Sequence, residues 1–318
     1  MLTPGEARSP GPAREIRRAG VIGSPIDHSL SPALHRAAYR VLGLTGWDYG
    51  RQAVGGPGEP SVAAFLSGLD PQWVGVSATM PCKEALLAVA DSVSPLAGQV
   101  GAANTLVRAE RGWHADNTDV AGLSGALDEL GAPRSSSATL VGAGATARAA
   151  LAALAGRGVR TITAVVRGRV RPDTAALAEE LGLRLIAVPT SGLREAVQDA
   201  EVTVLAVPGG TELGLALPPP RSLTGRLVMD VGYANWPTPL ARWAQAGGAQ
   251  AVSGLPMLVH QAAEQVRLMT AAAQTATGAG VTSQEWAQRR SAVLAAMYAA
   301  VGREGGAGHP GSTGRATD

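Results

Sequence analysis

The sequence has little aromatic material. Of its 318 residues only 3% are aromatic, with a single phenylalanine, Phe65, and a single cysteine, Cys82. A core poor in large rings has to be built from Ala, Val and Leu. The 46% hydrophobic content is enough for that and belongs to a globular chain rather than a disordered one. One cysteine excludes an intramolecular disulfide framework and any Cys-rich metal site. The five histidines, His28, His35, His114, His260 and His309, lack metal-ligand spacing with one another or with carboxylates, so no metal is expected. Charge is also sparse, at 16% of residues and a net +2. No basic stripe with interleaved aromatics is present, which argues against a nucleic-acid partner. No apolar run is long enough to span a bilayer, and the opening Met1 to Glu6 lacks the apolar stretch of a signal peptide. Glu6 and Glu15 speak against an organelle transit peptide. Cytoplasm is the default expectation.

Residues 1–18 and 302–318 are Pro/Gly-rich or polar without periodicity and read as flexible tails. Between them short apolar runs alternate with helical patterns, the signature of an α/β protein, and the length suggests two domains. In the first half, strand pieces are expected at 21–22, 47–49 and 73–76, with a hairpin of 104–107 and 113–114 around Gly112. One helix follows Ser31-Pro32 and stops at Gly43, one opens at Pro81, and one runs over 118–130 to Gly131. Residues 133–137 read as a linker. Strands at 138–141, 161–166, 185–188, 202–207 and 227–231 are continuously apolar, as expected when helices cover both sheet faces. Helical periodicity returns after Gly254 and continues to about Val301. The division is therefore 19–132, 133–253 and a helical segment 254–301.

Leu140-Val141-Gly142-Ala143-Gly144-Ala145-Thr146-Ala147 follows a strand and opens an Ala-rich helix. Glycines there allow a tight turn and close approach of a pyrophosphate, while the helix N-terminus offers free N–H donors. The pattern alone is weak in a chain with 41 glycines; its strand–loop–helix setting strengthens it. An NAD-binding fold usually carries an acidic residue at the end of the second strand. Here that strand runs into Arg167-Gly168-Arg169-Val170-Arg171, with no carboxylate before Asp173. Guanidinium groups suit the 2′-phosphate of NADP, so Arg167, and after it Arg171, are assigned to that phosphate.

Three segments of the first half carry candidate chemistry. In Ser29-Leu30-Ser31-Pro32, an extended backbone would turn both hydroxyls to one side, toward a polyhydroxylated or carboxylate ligand; alternatively Ser31 caps the helix that follows. His28 is read as an anchor for this loop. In Thr79-Met80-Pro81-Cys82-Lys83, the lysine sits in a first helical turn, where the dipole disfavours a cation and so favours proton transfer. In Asp116-Asn117-Thr118-Asp119, Thr118 and Asp119 either serve the helix as cap and dipole partner, or Asp119 joins Lys83 as an acid/base pair.

These segments resemble the shikimate dehydrogenase family. The resemblance rests on Gly23-x-Pro25-Ile26-x-His28-Ser29-x-Ser31-Pro32, Thr79-x-Pro81-x-Lys83, Ala103-Asn104-Thr105-Leu106 and Asp116-Asn117-Thr118-Asp119. It continues through Gly142-Ala143-Gly144, Asp230-x-x-Tyr233 with Pro237-Thr238-Pro239-Leu240, and Ser253-Gly254-Leu255-x-Met257-Leu258-x-x-Gln261. It implies an NADP-dependent oxidoreductase of aromatic amino-acid (chorismate) biosynthesis that interconverts 3-dehydroshikimate and shikimate. The implied fold has an open-sheet substrate domain and a Rossmann-type dinucleotide domain with a cleft between them. The C-terminal helices are expected to pack back on the first domain. By the same resemblance Ser29, Ser31, Thr79, Asn104, Asp119, Tyr233 and Gln261 surround shikimate, and Lys83 and Asp119 are catalytic. Gly142, Ala143, Gly144, Ala145, Thr146 and Ala147, with Arg167, Arg171, Val231 and Gly254, line the cofactor site. The chain departs from the family where Ser77-Ala78-Thr79 stands for Asn-Val-Thr, Val166-Arg167-Gly168 for Asn-Arg-Thr, and Leu205-Ala206-Val207 for Asn-Ala-Thr. Three other readings remain: a quinate or aminoshikimate dehydrogenase using NAD, a non-catalytic NADP-binding regulator, and a bicyclic folate dehydrogenase.

Overall fold

The computed structural model describes residues 16–208, 211, 219–278 and 280–302. Most of both expected tails lies outside the described residues, and the first strand starts at Arg17, inside the stretch read as tail.

Two six-stranded sheets organise the chain. The first contains β1 (Arg17–Gly23), β2 (Trp47–Ala53), β3 (Trp73–Ala78), β4 (Ser92–Val93), β5 (Thr105–Arg108) and β6 (Trp113–Asp116), in the order β2-β1-β3-β5-β6-β4. Strands β1, β2 and β3 run parallel, and β5 pairs antiparallel with both β3 and β6. The helices of this half are α1 (Ser31–Leu42), α2 (Val62–Ser67), α3 (Lys83–Ala88), α4 (Pro95–Val100) and α5 (Asp119–Glu129). Gly43 ends α1 in the left-handed conformation at φ 74°, the C-terminal stop expected of glycine.

The second sheet is wholly parallel and comprises β7 (Ser137–Val141), β8 (Thr161–Val166), β9 (Arg184–Pro189), β10 (Val202–Leu205), β11 (Leu227–Asp230) and β12 (Gln250–Val252). Its order, β12-β11-β10-β7-β8-β9, is that of a doubly wound dinucleotide fold, with the switch point between β7 and β10. Helices α6 (Ala145–Gly156), α7 (Pro172–Glu180), α8 (Leu193–Asp199) and α9 (Pro239–Ala246) belong to this half. β9 corrects one expectation: it is apolar yet half exposed, with Ile186 at 38%, because it is an edge strand. Residue 137, read as linker, already belongs to β7.

The last helices, α10 (Leu255–Thr277) and α11 (Ser283–Ala300), return to the first sheet. Val259, Ala262, Val266 and Met269 of α10 share a buried cluster with Val21, Leu34 and Tyr49. Helix α10 also lies close along α5, since a Cβ at Gly122 would come within 2.6 Å of Gln261 and one at Gly125 within 2.7 Å of His260. Among the described residues no helix is long and apolar enough to cross a membrane.

One buried group makes the fold sensitive to acid. His35 in α1 is fully enclosed, stacked on Tyr49 at 3.7 Å between ring centroids. Its Nδ1 donates to the Ser31 carbonyl at 2.9 Å, while Nε2 has no partner among the described residues. Burial pushes its pKa down to about 3. The folded protein therefore refuses a proton that the unfolded chain accepts near 6.5. Stability from this group is complete above that pH and drains away as pH falls toward 3. Between pH 7 and pH 5 the loss should be about 2 kcal/mol. Urea unfolding at the two pH values should show the wild type losing about that much more than His35→Phe, which keeps the stack and cannot titrate. Equal losses would contradict the assignment.

Candidate active site

A cleft of about 550 Å3 lies between the sheets, at the C-terminal ends of their parallel strands. This is where open α/β sheets bind ligands. Its first wall carries Ser29, Ser31, Thr79, Lys83 and Asp119, and α10 contributes Gln261. Its second wall carries Gly144, Ala145, Thr146, Arg171, Val231, Tyr233 and Gly254.

Lys83 is the first residue of α3, two positions later than a helix opened by Pro81 would begin; Pro81 and Cys82 form the turn before it. Its Nζ donates to Asp119 Oδ2 at 2.5 Å and to Thr146 Oγ1 at 3.2 Å. The lysine thus joins the start of α5 to the glycine loop of the other sheet. Both partners are largely enclosed, with side-chain exposures of 14% for Lys83 and 6% for Asp119. Such enclosure screens the pair less than a surface ion pair.

Asn104 orders the pair from beneath and is itself buried. Its Oδ1 accepts from the Thr105 hydroxyl and the Thr118 backbone, each at 2.8 Å, which turns its amide nitrogen outward. That nitrogen donates to Asp119 Oδ1 at 2.8 Å and, less closely, to Gln261 Oε1 at 3.4 Å. Thr118 therefore does not cap α5 with its side chain; its hydroxyl also donates to Asn104 Oδ1. The cap is supplied by Asn117, whose Oδ1 accepts the Asp119 backbone N–H at 3.0 Å.

The serine loop differs from both of its readings. Ser31 is the first helical residue of α1, after Leu30 in helical conformation, so the pair is not extended and Ser31 makes no cap hydrogen bond. Both hydroxyls nevertheless reach the cleft. His28 is exposed on the cleft wall and makes no hydrogen bond among the described residues. The loop is tied instead by Arg51 donating to the Asp27 carbonyl and by the Ser29 N–H donating to Ile26 at 3.0 Å. Tyr233 stands across the cleft against the Leu30 backbone, and burial raises its phenol pKa.

The second wall has the form of a dinucleotide cradle. Gly142 has φ 112°, and a Cβ there would meet the Ala206 carbonyl at 2.5 Å, so glycine is required for this turn. Among the described residues nothing lies within 4 Å of a Cβ at Gly144, which leaves the loop open to a close ligand. The N-terminus of α6 has no side-chain cap, so its N–H groups remain available to an anion. Gly254 is packed against Val231, where a Cβ would approach the carbonyl to 2.0 Å. Gly142, Ala143 and Asn104 support the cleft without lining it, and Arg167 is exposed outside its lining.

Among the lining residues that escaped sequence reading are two buried polar ones. Ser77 and Gln265 are both 2% exposed, and Gln265 Oε1 has no hydrogen-bond partner among the described residues. The spacing of Gln265, four residues after Gln261 on one helix, was the available signal. No group of His, Cys, Asp and Glu among the described residues could hold a metal ion.

The sequence profile of the shikimate dehydrogenase substrate binding domain matches residues 21–106. A shikimate dehydrogenase (NADP(+)) of Anaeromyxobacter sp. is 40% identical over 264 residues, covering 79% of this chain and 90% of the relative. The crystal structure of Mycobacterium tuberculosis shikimate dehydrogenase is 40% identical with a TM-score of 0.71, over 89% of this chain and 99% of that one. A Thermus thermophilus shikimate 5-dehydrogenase, solved in complex with NADP(H) and shikimate, is 34% identical with a TM-score of 0.69, over 90% and 100% of the two chains.

Proposed function

Because the chain belongs to the shikimate dehydrogenase family, we propose that the cleft between the two sheets is its active site and that Lys83 and Asp119 handle the proton of the reaction. The chain is an NADP-dependent oxidoreductase that interconverts 3-dehydroshikimate and shikimate. NADPH, when bound, supplies the hydride. The observation that carries the residue assignment is Lys83 Nζ, in contact with both Asp119 on the substrate wall and Thr146 on the glycine loop. A proton donor at that junction sits where the two ligands must meet.

In the reducing direction the ketone oxygen becomes an alkoxide and takes a proton from Lys83 Nζ; in the oxidising direction Lys83 receives it. Asp119 holds the ammonium in place with Oδ2, while Asn104 fixes Oδ1, so the carboxylate cannot rotate freely. Ser29, Ser31, Thr79, Tyr233 and Gln261 supply hydroxyl and amide groups to the polar substituents of the substrate. Gly142 to Ala147 and the N-terminus of α6 take the pyrophosphate, Val231 and Gly254 flank the cofactor, and Arg167 and Arg171 take the 2′-phosphate. We assign residues 19–132 to the substrate domain, which β1 extends back to Arg17, with 133–253 as the dinucleotide domain and 254–301 as the returning helices. We infer that the enzyme works in the cytoplasm, as a monomer or homodimer.

Initial rates with shikimate and quinate, each with NADP and NAD, test this reading. Shikimate with NADP should give the highest kcat/KM by a wide margin. Comparable turnover of quinate, or equal use of NAD, would overturn it in favour of a quinate or aminoshikimate dehydrogenase.

A further inference from the structure

Glu84 follows Lys83 in α3 and reaches across the cleft mouth. Its Oε1 accepts from two arginines of the dinucleotide half, Arg148 Nη2 at 2.9 Å and Arg171 Nη2 at 3.1 Å. The two arginines are held very differently. Arg148 is 2% exposed, and its other hydrogens go to the Val100 carbonyl at 2.7 Å, the Gly101 carbonyl at 3.1 Å and Asp173 Oδ2 at 2.6 Å. It is a fixed strut between the halves. Arg171 is half exposed and lines the cleft, and among the described residues its guanidinium pairs only with carboxylate oxygens that Arg148 already engages, Glu84 Oε1 and Asp173 Oδ2. It is therefore the member of the cluster that is free to leave.

We propose that Glu84 is a cofactor-selectivity residue, holding Arg171 across the cleft until the 2′-phosphate of NADP takes it. The inference rests on the assignment of Arg171 to that phosphate. A phosphate carrying nearly two negative charges cannot share Arg171 with Glu84 without repulsion between the two anions. Binding the phosphorylated cofactor then exchanges one ion pair between the halves for another, while Arg148 preserves the remaining link. NAD, which has no 2′-phosphate, leaves the Glu84–Arg171 pair intact. The carboxylate next to the catalytic lysine thereby weakens NADP selectively, and its neutralisation should strengthen NADP without altering NAD.

Calorimetric titration of the full-length protein with NADP and with NAD, without substrate, tests this for wild type, Glu84→Gln, Arg171→Ala and the double variant. Glu84→Gln keeps an acceptor oxygen for Arg148, and Asp173 keeps a charge beside it. It should bind NADP roughly two- to five-fold more tightly, the range for a half-exposed ion pair, with NAD unchanged. Arg171→Ala should weaken NADP selectively, and Glu84→Gln should have no further effect in that background. If Arg171→Ala leaves NADP affinity unaltered, the phosphate assignment itself fails. If Arg171→Ala weakens NADP but Glu84→Gln does not tighten it, or tightens it equally without Arg171, the competition is overturned. Should Glu84→Gln fail to fold, Glu84→Asp withdraws the carboxylate by one methylene and should shift affinity in the same direction by less; no shift there overturns the proposal.

Discussion

Purified Lys83→Ala protein should turn over shikimate about 10²–10⁴-fold more slowly than wild type, with a much smaller change in KM. The size follows from what the side chain does. Lys83 Nζ is the ammonium set between Asp119 and the glycine loop, and its removal leaves the alkoxide to be protonated by water. The substrate wall survives the change, because Ser29, Ser31, Thr79 and Gln261 take no support from the lysine side chain. Ground-state binding should therefore persist while transition-state stabilisation falls, and kcat should carry the loss. Steady-state kinetics across the pH range on folded protein checks this. A near-normal kcat at every pH would remove Lys83 from the mechanism while leaving the oxidoreductase activity to be explained by another group.

The second large effect concerns cofactor discrimination. Losing a charge-assisted hydrogen bond to phosphate costs about 1.5–3 kcal/mol, roughly 10- to 150-fold in affinity. Arg167→Ala and Arg171→Ala should each weaken NADP more than NAD. The Arg171 effect should lie near the lower end, since its guanidinium is half exposed and already paired with Glu84 and Asp173. Arg167 is exposed and makes no hydrogen bond or ion pair among the described residues, so none of those residues competes for it. The double variant should bind the two cofactors with nearly equal affinity. Equal weakening of both cofactors by either single change would show that the arginine supports the fold rather than the phosphate.

How much of this was legible in the sequence depended on how local each feature was. The glycine loop could be read because strand, turn and helix are contiguous, and Gly142 is demanded by its own backbone. The stop at Gly43 was readable for the same reason. The Lys83–Asp119 contact was not, because the residues are 36 positions apart and meet only when β3, β5 and β6 align side by side. Residue chemistry also left the threonine before Asp119 ambiguous. Thr118 looked like a helix cap, but Asn104 reached it first from the bend just before β5. Arg148 was invisible as a strut, since an arginine in an Ala-rich helix ordinarily faces solvent; its burial needs the end of α4 from the other half. The exposure of β9 came from its place at the sheet edge, which an apolar run does not encode.

In the proposed mechanism Lys83 and Asp119 act as one unit. A double-mutant cycle of Lys83→Ala, Asp119→Asn and the combined variant, read in kcat, measures that directly. If the carboxylate works by holding the lysine, the combined variant should be little worse than Lys83→Ala alone, far short of the product of the two single losses. Losses that multiply would mean that the two groups contribute independently, and that the short contact between them is not how the proton is handled.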